Sequence, residues 1–154
     1  MIRIGVIGVG GMGGAHCNSF LKVENCEFVG VADLRLEAAE QVASKHKIQA
    51  FQNYHQLLEI VDGVIVATPP SAHREVVVNA AKMNVHAFCE KPLSVDLADS
   101  EAMIQASDEA GTFLMVGQVL RFYPVHALGK YLINEGEFWD VVYIESDYNG
   151  PYSC

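Results

Sequence analysis

Short, β-branched apolar runs alternate with stretches of helical periodicity along most of this chain. Ile2 to Ile7 is the first run; it ends on Gly8 and suits a strand buried on both faces of a parallel sheet. Phe28–Ala32, Val64–Ala67, Val85–Phe88 and Phe113–Val116 repeat the pattern at spacings too long for hairpins. Between them Leu36, Ala39, Val42 and Ala43 share one helical face before Lys47. Ala72, Val76, Ala80 and Met83 share another, with Asn84 as a left-handed cap. A short helix over Tyr54 to Ile60 and a longer one from about Asp96 to Ala110, capped by Ser94 and closed by Gly111, complete the alternation. Strands and helices joined by right-handed crossovers predict an α/β fold, a doubly wound parallel sheet covered on both faces. The ligand crevice of such a sheet lies beyond the carboxyl ends of its strands, so function is expected in the segments that follow them.

After Gly117 the pattern changes. A helix is predicted between Pro124 and Asn134, and Trp139 to Ile144 reads as a further strand with no partner. Tyr148 to Pro151 is a turn that ordinarily leads into another strand, which makes the sequence the front part of a longer protein. Residues 1–122 are expected to form one domain and 123–154 the connecting helix and first strand of a second, α+β domain. The unpaired strand invites association, so a dimer or larger homo-oligomer is expected.

Charge narrows the partners. With 10 Lys+Arg against 19 Asp+Glu the net charge is −9, and a nucleic acid or an anionic membrane would be repelled. A hydrophobic fraction of 51% excludes disorder and supports a buried core. Cys17, Cys26, Cys89 and Cys154 form no CxxC pair and no metal-ligand spacing with the histidines, which fits a reducing cytoplasm and no metal. Ile4 to Leu21 is uncharged, as a signal peptide or spanning helix would be, but its six glycines argue against both.

Gly8-Val9-Gly10-Gly11-Met12-Gly13 fits G-x-G-x-x-G between a predicted strand and a predicted helix. Gly8 permits the tight turn, Gly10 lets a pyrophosphate approach the backbone, and Gly13 lets helix and strand meet closely. The amides of Gly10, Gly11 and Met12 face the phosphates at the positive end of the helix. Asp33 follows the next strand, where a carboxylate accepts the ribose hydroxyls of an adenosine. A tight turn and a helix cap are the plain alternative for these residues. Asp33 repels a 2′-phosphate and favours NAD, although Arg35 can pair with that phosphate and admit NADP.

Thr68-Pro69-Pro70 interrupts the chain after another strand, and its backbone is expected to line the nicotinamide-ribose side. Ser71 is the expected cap of the following helix, and His73 is expected in its first turn facing the crevice; a solvated histidine on an amphipathic helix fits the spacing equally. Glu90-Lys91-Pro92 places a carboxylate and an ammonium at the crevice mouth, where Lys91 can hydrogen-bond a substrate hydroxyl and stabilise an alkoxide formed during hydride transfer. A surface ion pair beside a turn proline is the bland reading of the same three residues.

Taken in order, Gly8 to Gly13, Asp33, Thr68-Pro69-Pro70 with His73, and Glu90-Lys91-Pro92 resemble the Gfo/Idh/MocA family, the last motif most specifically. Gly117 to Pro124, with Arg121-Phe122, is also similar to the family's segment after the sixth strand. The resemblance implies a Rossmann domain and a pyridine-nucleotide oxidoreductase acting on a sugar, polyol or similar hydroxyl compound. Lys91 would be the catalytic residue near the nicotinamide, Arg121 would join the cofactor residues, and the Lys91–Pro92 bond would often be cis. Family members continue into a second, sheet-rich domain whose Asp and His complete the site, so this chain alone is expected to be inactive. Val119 and Leu120 depart from the family's polar pair, and Glu137-Phe138-Trp139 from its glycine-containing turn. Two other classes remain open: a non-enzymatic nucleotide-binding module, and methyl transfer from S-adenosylmethionine, in which Glu90-Lys91-Pro92 has no role.

Overall fold

A computed structural model of the chain describes residues 1–145. Six parallel strands form one sheet: β1 (Ile2–Ile7), β2 (Cys26–Ala32), β3 (Gln49–Phe51), β4 (Gly63–Val66), β5 (His86–Cys89) and β6 (Leu114–Val116). Their spatial order is β3-β2-β1-β4-β5-β6, so the winding reverses between β1 and β4 and opens a crevice there. The helices between them are α1 (Gly11–Ser19), α2 (Leu36–His46), α3 (Tyr54–Leu58), α4 (Pro70–Lys82) and α5 (Leu97–Ala110).

Period-2 alternation sends neighbouring strand residues to opposite layers. Val6, Val31 and Ile65 face one layer with Cys17 of α1 and with Ala39 and Ala43 of α2. Ile7, Ala32, Val64 and Val66 face the other, packed with Leu57 of α3, Val76, Val77 and Ala80 of α4 and Met103 of α5. Leu57 is fully buried and explains two glycines inside strands. A Cβ at Gly5 would come within 2.8 Å of its Cδ2, and one at Gly30 within 2.9 Å of its Cδ1. Across the far end of the sheet, Arg3 reaches Asp62 through its backbone N–H and its guanidinium. Those hydrogen bonds hold the exposed Asp62 carboxyl down to about 2.

Several sequence expectations shift. β3 escaped the pattern because, although no shorter than β6, it begins with a polar glutamine and stands only one residue beyond the left-handed cap at Lys47. Asp96, rather than Ser94, caps α5, accepting the N–H of Ala98 at 2.7 Å. α4 begins one residue before Ser71, which lies within its first turn, and Pro69 stands at the cap position. The buried face of α4 runs through His73, Val76, Val77, Ala80 and Ala81, whereas Met83 ends the helix exposed. Asn84 does adopt the left-handed conformation, with φ 58°.

The first compact unit ends at Gly117, five residues before the boundary expected from sequence. The second begins at Gln118 and contains a short 3-10 helix, Val119–Phe122, and α6 (Pro124–Asn134), whose bounds match expectation. Trp139–Ile144 forms no strand in the described residues. Apolar, β-branched composition supplies propensity only; a strand needs a neighbour to take its backbone hydrogen bonds. The turn expected at Tyr148 to Pro151 lies outside the described residues. Among the described residues no helix is long and apolar enough to cross a membrane, and no cluster of metal-ligating side chains occurs.

Two outcomes test this packing. Gly30→Ala should lower stability by about 1–3 kcal/mol through overpacking on Leu57, measured by denaturant unfolding. On a Leu57→Ala background the same change should cost much less, and an additive double mutant would refute the contact. Burial also pushes the Cys17 thiol up to about 11 and the Cys89 thiol up to about 12. Both should stay unlabelled by a thiol reagent at pH 8 in the native protein and react only on unfolding, as peptide mapping would show, while the partly exposed Cys26 labels before either of them.

Candidate functional site

The crevice at the strand reversal is floored by the ends of β1, β2 and β4 and encloses a cavity of ≈ 630 Å³. Gly8 turns the chain out of β1 with φ +87°, and its N–H donates to the carbonyl of Ala32 at 2.8 Å. A Cβ at Gly8 would sit 2.8 Å from the backbone oxygen of Ala67, and one at Gly13 would overlap the carbonyl oxygen of Gly8. These two glycines let α1 start directly against the sheet. Gly10 stands at the cap position without a side-chain hydrogen bond, so the first-turn amides of α1 have no side-chain partner. Around Gly10 and Gly11 nothing lies within 4 Å of a built Cβ, leaving open space over that backbone.

Asp33 faces this cradle from the end of β2. One carboxylate oxygen accepts the N–H of Val9 at 2.9 Å and the other the N–H of Arg35 at 3.0 Å. The side chain is largely buried, and the exposed Arg35 guanidinium lies 3.7 Å away. A carboxylate has about four lone-pair sites, so Asp33 retains acceptor capacity beside the two bonds it makes. Thr68 and Pro69 form the opposite lip, and the buried Thr68 Oγ1 has no hydrogen-bond partner among the described residues.

The cavity therefore brings together Gly8, Gly10, Met12, Asp33, Arg35, Thr68 and Pro69 of the residues singled out from sequence. Gly11 and Gly13 shape α1, and Pro70 is the first residue of α4. His73 does not face the crevice. It is 1% exposed, with Nε2 2.9 Å from the Thr68 carbonyl and Nδ1 3.0 Å from that of Leu93. The inward face of α4 carries it beneath two loops, the one bearing Thr68 and the one that follows Lys91–Pro92, which it ties together. Arg121 is exposed in the 3-10 helix of the second unit.

At the end of β5 the Glu90 carboxylate is buried and the Lys91 side chain exposed, and the Lys91–Pro92 bond is cis. Among the described residues no carboxylate forms an ion pair with the Lys91 ammonium. Glu90 Oε2 accepts the Lys91 N–H at 3.1 Å, and Oε1 lies 2.7 Å from Nε2 of His16 on α1.

His16 escaped the sequence reading. Its signal was its place three residues beyond Gly13, on the side of α1 that meets the sheet. Tyr54, Gln52 and Glu75 were missed too and line the outer part of the cavity. Tyr54 donates to Glu75 at 2.9 Å and accepts from Asn79 at 2.8 Å.

Comparison with known proteins agrees with this geometry. Residues 2–118 match the model of an oxidoreductase family, GFO_IDH_MocA, described as an NAD-binding Rossmann fold. Myo-inositol 2-dehydrogenase of Thermotoga maritima is 35% identical over 124 residues, which are 79% of this chain and 37% of that protein. The 2,7-anhydro-N-acetylneuraminate hydratase of Escherichia coli is 33% identical over 97% of this chain and 40% of its own length. The crystal structure of a probable dehydrogenase from Thermotoga maritima superposes with a TM-score of 0.83 at 33% identity, covering 88% of this chain and 41% of that one. The chain thus spans about two-fifths of the length of these relatives. A family match over most of the sequence, on the fold and the glycine turn just described, places this chain in the Gfo/Idh/MocA oxidoreductase family, of which it carries the NAD-binding Rossmann fold.

Proposed function

We propose that this chain is the cofactor-binding part of a dehydrogenase that transfers hydride between NAD and a hydroxyl-bearing carbon of a sugar or polyol. The observation that carries the reading is the open, uncapped start of α1 with the Asp33 carboxylate across from it. Anionic phosphates suit the first-turn amides and the positive helix end. The residues present fit a dinucleotide: Gly10, Gly11 and Met12 hold the pyrophosphate and Asp33 the adenine ribose. Thr68, with its unpartnered hydroxyl, and the Pro69–Pro70 backbone lie on the nicotinamide-ribose side. Bound there, the nicotinamide accepts or returns the hydride.

Lys91 is the residue we assign to chemistry. In the reducing direction its exposed ammonium hydrogen-bonds the substrate carbonyl oxygen, stabilises the negative charge that grows there as hydride arrives and donates the proton that completes the hydroxyl; oxidation is the reverse, with the amine taking the hydroxyl proton as hydride leaves the carbon. Arg121 joins the cofactor residues by the family resemblance. His73 acts from below by fixing the loops of Thr68 and Leu93. NAD is favoured over NADP because a 2′-phosphate would meet the Asp33 carboxylate, although Arg35 is near enough to offset part of that repulsion. The polyol assignment draws support from the inositol dehydrogenase among the relatives.

Calorimetric titration of the chain with NAD, NADP and S-adenosylmethionine tests the cofactor placement, with NAD expected to bind tightest. Gly10→Val fits sterically, since nothing crowds a Cβ there, so it should fold normally yet weaken NAD at least 100-fold by filling phosphate space. Undiminished binding would refute the placement. Asp33→Ala should weaken NAD by roughly tenfold or more through the loss of charged hydrogen bonds and move the affinity ratio toward NADP. An unchanged ratio would remove Asp33 and Arg35 from cofactor choice.

A second measurement addresses turnover. In the enzyme that carries this domain, assayed with myo-inositol and NAD, Lys91→Met should lower kcat by about 10²–10³-fold while NAD affinity stays nearly constant. Parallel losses in both would demote Lys91 to a binding residue. Robust polyol oxidation by the 154-residue chain alone would contradict the assignment of only the cofactor half to it.

A further inference from the structure

Glu90 is 5% exposed, and a carboxylate so far from water needs donors on both oxygens. It has two. Oε2 takes the backbone N–H of Lys91 at 3.1 Å, and Oε1 lies 2.7 Å from Nε2 of His16. The surroundings leave the carboxylate little room to turn elsewhere. Gly117 at the end of β6 approaches so closely that a Cβ there would fall 3.0 Å from the Phe88 ring and 3.5 Å from Glu90 Cδ. The His16 ring meets Phe88 edge-on, with centroids 5.6 Å apart. Cys17, the next residue of α1, is buried in the layer below and fixes the helix against the sheet. His16 therefore holds the free end of Glu90 from a rigid helix, and Glu90 holds the backbone of Lys91.

We propose that His16 is a positioning residue for Lys91: acting through Glu90, it fixes the backbone from which the Lys91 ammonium reaches the reacting hydroxyl. This rests on the reading of Lys91 as the hydride-transfer residue, while the mechanical link itself is independent of it. His16 touches neither reacting atom, so its effect is on geometry. Misplacement of a catalytic group by about 1 Å costs on the order of 10²-fold in rate, which makes one carboxylate contact consequential.

Amide hydrogen exchange of the intact chain, read residue by residue by NMR, tests the link, with calorimetric titration of NAD alongside. His16→Leu should speed exchange at the Lys91 amide by roughly tenfold, with the amides of β1 and β4 unchanged, because the opening is local. His16→Gln keeps a side-chain N–H donor and should recover most of that protection. NAD affinity should stay within about threefold of wild type in both variants. Unchanged exchange at Lys91 in His16→Leu, equal acceleration throughout β1 and β4, or no recovery in His16→Gln overturns the proposal. If His16→Leu does not fold, His16→Phe serves instead: its ring keeps the edge contact with Phe88 but donates nothing to Glu90, so it should speed Lys91 exchange comparably, and no change there overturns the link equally. Failure of the wild-type chain to bind NAD would sink the cofactor reading alone and leave the exchange result to decide the role of His16.

Discussion

Gly13 lies directly against the carbonyl of Gly8, where no side chain at all fits. That contact sets where α1 begins and which way it runs. Because the helix starts directly on the turn out of β1, its first amides emerge over the strand reversal with no side-chain cap to satisfy them. The same placement lays His16 over the end of β5, far away in sequence. Asp33 completes the arrangement by accepting the N–H of Val9, so the carboxylate that faces the cradle also holds the turn that makes it.

Around that contact the sheet divides its side chains between two layers. The alternation of Val6 with Ile7, and of Val31 with Ala32, gives each layer its own helices and its own core. Leu57 is inserted so deeply that both β1 and β2 carry a glycine beneath it. Close packing of this kind explains why strands otherwise built from β-branched residues contain Gly5 and Gly30, where propensity argues against them.

The loops of the crevice are held by buried polar groups as well as by the packing of Leu93 on the core. His73 lies beneath them between the carbonyls of Thr68 and Leu93, where a neutral imidazole donates its N–H to one of the two at a time. Glu90 joins His16 of α1 to the backbone of Lys91. Each group is nearly inaccessible to water, and each would be costly to leave unpartnered. The two polar links fix the positions of segments that bear no regular secondary structure, as a rigid site requires.

What the sequence determined by itself was local. The glycine turn, Asp33, five of the six strands and the helices between them depend on periodicity and on conformations that one residue either allows or forbids. The same is true of the Pro124 to Asn134 helix. Tertiary structure decided whatever depended on a partner remote in the chain. β3 becomes a strand only because Gly30 to Ala32 lie beside it, and Trp139 to Ile144 forms none among the described residues, despite a more β-prone composition. His73 exchanged its expected place in the crevice for the interior because the face that α4 buries is chosen by the sheet against which it packs. His16 and Glu90 are separated by 74 residues, and their meeting is set by where α1 lies on the sheet, which brings the His16 ring to Phe88 and the end of β5. A hydrogen bond of that range leaves no periodicity behind, since either residue alone is an ordinary polar side chain on a helix or at a strand end.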